Sequence, residues 1–120
     1  MTYVTQLRAK HAAEKAHLAK FHAEQKDARA TMIRSWTASA AREKRELAAR
    51  HSAQLPLTKK YSQGKNAAEK AQLAAQHKRE KESWESSKKT WAHGDRIEKE
   101  VLADKQKNEM AYAVKMAKKK

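Results

Sequence analysis

Residues 10–27, KHAAEKAHLAKFHAEQKD, return at residues 65–82 as KNAAEKAQLAAQHKREKE, with ten of 18 positions identical at a constant offset of 55. The same offset carries Trp36 onto Trp91, Glu43-Lys44 onto Glu98-Lys99 and Leu47-Ala48 onto Leu102-Ala103. Bias toward Ala and Lys makes matches of those residues cheap. It does not explain a matched Trp in a chain with three. A shorter unit lies inside: Glu-Lys, two variable residues, Leu-Ala, two variable residues, then His or Gln. It reads Glu14…Leu18…His22, Glu43…Leu47…His51, Glu69…Leu73…His77 and Glu98…Leu102…Gln106, at intervals of 29, 26 and 29 residues. Glu to Leu and Leu to His are each i to i+4, which puts all three on one side of a helix.

The repeat predicts an all-α, elongated hairpin or bundle of two related halves built from long helices. The first half covers residues 1–56 and the second, with its basic tail, covers 65–120, with a linker at 57–64. Pro56 restricts Leu55 to extended backbone, and Gly64 lowers helix propensity just before the second copy. A further break is expected at His93-Gly94-Asp95, where Gly94 suits a helix end. Asp95 suits the next N-cap, with Glu98 completing a capping box. The matching region of the first half has Ser39 as a cap but no Gly, so a continuous helix is compatible there.

Composition agrees with helix and argues against a conventional enzyme core. Leu, Ile, Val and Phe make up 13 of the 120 residues, well below what an ordinary globular interior uses. Ala (24 residues), Glu, Lys, Gln and Arg dominate instead, with two Gly and one Pro. Positions 4, 7, 11, 14, 18, 21, 25, 28, 32 and 36 form a near-heptad stripe diluted by His11, Glu14 and Gln25. Leu18, Phe21, Met32, Ile33 and Trp36 are expected to pack against Leu73, Trp84 and Trp91 across an antiparallel hairpin or a dimer. Leu47 and Leu102 belong to the same packing set. This is a thin core, and low stability in isolation is expected.

No catalytic constellation is present, and the chain reads as non-enzymatic, with no cofactor and no metal. No Cys is available for a thiolate site or a disulfide. His11, Glu14 and His17 have the spacing of helical metal ligands. The second half offers Asn66, Glu69 and Gln72 instead, so these residues read as ordinary helix surface. The recurring His22, His51 and His77 read first as helix-surface or packing-edge residues, and otherwise as polar neighbours of acidic groups on another helix or as groups that a nearby phosphate would protonate. No apolar run approaches the roughly 18 residues of a membrane span. Cytoplasm is the expected compartment, and a membrane partner is not favoured.

Charge carries the functional expectation. Twenty-eight Lys and Arg against 14 Asp and Glu give a net +14, an excess that concentrates a protein on a polyanion and releases counterions from phosphates. The candidate contacts are Arg42, Lys44, Arg45, Arg50, Lys59, Lys60, Lys65, Lys78, Arg79, Lys81, Lys88, Lys89, Lys118, Lys119 and Lys120. Arg42 and Arg45 are the candidates for reaching base edges. The leading expectation is salt-dependent binding of nucleic acid, DNA favoured, in an accessory or architectural role. The alternative is a helical protein–protein interaction module or structural subunit, with a homodimer or a helical protein as partner.

The segments LRAKHAAEKAHLAKFHAEQK (7–26) and REKRELAARHSAQL (42–55) resemble the basic, Ala-rich helical regions that follow the nuclease domain in MobA/MobL- and TraA-type conjugative relaxases. The resemblance implies an accessory DNA-associated helical protein. The three-His cluster and catalytic Tyr of that family have no counterpart, so Tyr3, Tyr61 and Tyr112 gain no catalytic role. Trp36…Glu43-Lys44…Leu47 and Trp91…Glu98-Lys99…Leu102 also resemble tandem HMG boxes. The aromatic pair and wedge residue of that family are missing.

Overall fold

A computed structural model describes residues 2–119, and these are α-helical apart from short connections. Helix α1 spans Tyr3–Ser52, α2 spans Pro56–Tyr61 and α3 spans Gln63–Lys118. Thr2 starts α1 by accepting the Thr5 backbone N–H on Oγ1 at 3.2 Å, which satisfies one of the otherwise orphaned donors of the first turn. Leu55 ends the run after α1 in extended backbone (φ −65°, ψ 149°), and Pro56 opens α2 at a position where its missing N–H costs nothing. Gln54 and Asn66 exchange side-chain amide hydrogen bonds of 3.2 and 2.7 Å across this connection.

The expected break at Gly94 does not occur. Helix α3 runs through it, and no glycine has positive φ. One interior glycine costs a helix about 1 kcal/mol, which neighbouring Ala, Lys and Glu offset. Asp95 is therefore an interior helical residue rather than a cap. Helix α1 likewise continues through Ser39.

The helices pack in two compact units that cut across the sequence halves. The turn unit is Arg29–Lys88, and the terminal unit combines Met1–Ala28 with Lys89–Lys120. Within each, α1 and α3 are antiparallel in a register where the numbers of facing residues add to 120. His51 faces Glu69 and Glu43 faces His77 in the turn unit. His22 faces Glu98, and Gln106 faces Glu14, in the terminal unit. The leucine of each short repeat consequently stands level with another repeat's leucine: Leu47 with Leu73, and Leu18 with Leu102.

Buried apolar residues among those described are Leu7, Leu47 and Ala113, joined by the polar His11, His22 and Gln106. Leu18, Ile33, Trp36, Leu73, Trp84, Trp91 and Leu102 are half-buried. Phe21 and Met32 depart from their expected packing role. They are 43% and 51% exposed, because each stands one position before a residue that occupies the seam, His22 and Ile33 respectively. The expected pairing of Leu18 with Leu73 is also corrected. The antiparallel register matches the first short repeat with the fourth and the second with the third.

Candidate functional site

The seam is built from reciprocal polar pairs. In the turn unit, His51 Nε2 lies 3.3 Å from Glu69 Oε2 and His77 Nε2 lies 3.5 Å from Glu43 Oε2. Trp36 donates its indole N–H to Glu80, which also accepts from Gln76 at 2.9 Å, and the Trp36 ring meets the His77 ring edge-on. The indole hydrogen bond, with that of Gln76, holds the Glu80 carboxyl below its ordinary value. In the terminal unit, His22 Nε2 lies 3.0 Å from Glu98 Oε2, and His11 Nε2 lies 3.4 Å from Glu109 Oε2. Gln106 donates to the His11 carbonyl at 2.9 Å and to Glu14 at 3.4 Å. A carboxylate only accepts, so the imidazole in each hydrogen-bonded pair carries its proton on Nε2.

This seam decides where charge goes. Seven of the 14 acidic residues (Glu14, Glu43, Glu69, Glu80, Asp95, Glu98 and Glu109) meet His, Gln or Trp across the helix pair. Lys and Arg stay largely outside. Arg42, Lys44, Arg45, Arg50, Lys59, Lys60, Lys65, Lys78, Arg79, Lys81 and Lys88 are exposed in the turn unit. Lys89, Lys118 and Lys119 are exposed in the terminal unit, while Lys120 lies outside the described residues. Arg42 is 3.9 Å from Glu46 and Lys88 is 3.2 Å from Glu85, both exposed pairs of the kind that contribute little. The turn unit carries 14 basic and six acidic residues, and three of those six, Glu43, Glu69 and Glu80, are seam residues.

The terminal unit has a different surface. Ala13, Glu14, His17 and Leu18 of α1 line a groove with Ile97, Glu98, Val101, Leu102 and Lys105 of α3. Ile97 is 42% and Val101 61% exposed. Phe21, one turn beyond His17, extends this apolar side of α1. A shift of one short repeat places Glu46, Arg50, Gln72 and Gln76 at the positions of His17, Phe21, Val101 and Lys105, and these line the corresponding groove of the turn unit. One backbone frame thus carries an apolar face in one unit and a charged one in the other.

Ile97 and Val101 were not legible as a site because a stripe read along the seam omits them. The signal was their i, i+4 spacing immediately before Glu98 and Leu102. No helix among the described residues is long and apolar enough to cross a membrane. Comparison with protein-family models, curated proteins and solved structures finds no match, which leaves the relaxase and HMG-box likenesses as resemblances alone.

Proposed function

We propose that the protein is a helical interaction module whose terminal unit receives an acidic amphipathic helix of a protein partner. The observation that carries this reading is the exposed apolar groove at Ile97 and Val101. Solvent-exposed β-branched and aromatic side chains on a helix pair otherwise short of apolar residues mark a surface for a partner. An apolar helix face fits such a groove through anchors at i, i+3 and i+4. The chain's net charge of +14 favours an acidic partner and opposes a second copy of this cationic chain.

A second reading, salt-dependent binding of duplex DNA by the turn unit, draws support from a separate observation. Seam carboxylates there face His and Trp, so the outward Lys and Arg are left with few acidic neighbours. Phosphate contacts of this kind give affinity without sequence readout.

Fluorescence anisotropy separates the two. The probes are a labelled acidic helical peptide carrying Leu at heptad spacing and a labelled DNA duplex. Expected for the first reading is peptide binding that Ile97→Glu/Val101→Glu weakens by about ten-fold or more, with helix content unchanged. A wild-type chain that ignores the peptide, or binds it equally after both substitutions, overturns it. A dimer in light scattering that the same substitutions dissolve assigns the groove to a second copy instead. DNA affinity that falls by about 10³-fold or more between roughly 50 and 200 mM salt supports the second reading. Negligible DNA binding at the lower salt overturns it.

A further inference from the structure

We propose that His22, Asp95 and Glu98 form a binding site for a borderline divalent cation of the Zn²⁺ class, joining α1 to α3 within the terminal unit. Asp95 and Glu98 are one turn apart on α3 and face His22 of α1. His22 Nε2 lies 3.0 Å from Glu98 Oε2 and 3.7 Å from Asp95 Oδ1, and one donor atom from each of the three residues falls within 4.8 Å of the other two. A tetrahedral ion with bonds of about 2.0–2.1 Å separates its ligand atoms by roughly 3.3 Å. The two His–carboxylate distances bracket that value, so small side-chain rotations suffice. Glu98 is half-exposed, which admits water as a further ligand. One imidazole nitrogen with carboxylate oxygens suits Zn²⁺ and its first-row neighbours better than Mg²⁺ or Ca²⁺, which favour all-oxygen shells.

Two further observations favour an ion over a simple hydrogen bond. His22 is only 7% exposed, and its Nε2 is the ring atom turned to both carboxylates. The repeat also supplies an internal comparison. His51 and Glu69 reproduce the pair His22 and Glu98, but Asn66 stands where the terminal unit has Asp95, and it pairs with Gln54. At His51 the turn unit therefore keeps one carboxylate, which is all a hydrogen bond needs. The terminal unit brings a second carboxylate to the same nitrogen, and donors converging in this way suit a dication.

The test is calorimetric titration of ZnCl₂ into the full, tag-free chain, with circular dichroism as the control for folding. Expected is one equivalent bound by wild type, a rise in melting temperature with Zn²⁺, and loss of about ten-fold or more in affinity for Asp95→Asn, because even outer-shell changes cost roughly 10–100-fold. Asp95→Asn removes no histidine and recreates the side-chain set at Asn66, with which this chain already folds. Absence of binding at about 100 μM Zn²⁺, or equal affinity and stoichiometry in Asp95→Asn, overturns the site. Wild-type chain titrated with Co²⁺ gives an answer independent of any variant. An intense four- or five-coordinate absorption band supports the site, and the weak spectrum of six-coordinate aqueous Co²⁺ alone overturns it.

Discussion

At the residue scale, the protein places histidine and glutamate where a conventional helix pair uses leucine. His11, His22 and His51 each hydrogen-bond a part-exposed carboxylate of the opposite helix, a contact of modest net worth once desolvation is counted. Glu80 shows how such a contact couples to pH. Its carboxyl is held below its ordinary value of 4.5, chiefly by the Trp36 indole N–H and then by Gln76. A folded-state value below the unfolded one gives stability that is present above the unfolded value and is lost as pH falls through the folded one. Trp36→Phe removes the main donor. Wild type is expected to exceed Trp36→Phe in urea midpoint by more at pH 6 than at pH 3. An unchanged difference between the two pH values would show that the indole does not act through Glu80.

At the scale of the element, α3 tolerates Gly94 in its interior. A Cβ built there meets nothing within 4 Å, and φ is not positive. Alanine at this position narrows the unfolded ensemble without strain in the folded one. Gly94→Ala is therefore expected to stabilise the chain by about 0.4–1 kcal/mol, read as a higher midpoint in chemical unfolding. A lower midpoint would mean that the glycine has a structural role at the seam. The same helix shows why a capping motif is weak as a stop signal. Asp95 and Glu98 satisfy the spacing of an N-cap and its N3 partner, yet both are turned to His22, and the helix continues.

At the scale of the whole molecule, three buried apolar residues among those described, Leu7, Leu47 and Ala113, are a small hydrophobic contribution. Much of what remains at the seam is polar pairing, which contributes modest net stability once desolvation is counted. The self-repulsion of a +14 chain works against compactness as well. We expect thermal unfolding by circular dichroism with a midpoint below about 65 °C in the isolated protein. A cooperative transition above about 80 °C would refute a thin, polar seam as the main source of stability. Added salt screens the repulsion between exposed lysines more than it affects buried pairs.

The helical class was determined by the sequence alone, because residues with high helix propensity fill the chain and the i, i+4 spacing of Glu, Leu and His repeats four times. Its intervals of 29, 26 and 29 residues also contained the antiparallel register. Equal outer intervals let the first copy meet the fourth while the second meets the third. What the sequence left open was which groups face one another, since helical periodicity places residues on a side but does not choose the neighbour. Only tertiary structure turned Glu toward His instead of Lys, moved Phe21 and Met32 off the seam, and left Ile97 and Val101 exposed. It also drew Asp95 into the helix interior beside His22. Those outcomes depend on the register between two distant segments, where a shift of one residue exchanges seam for surface.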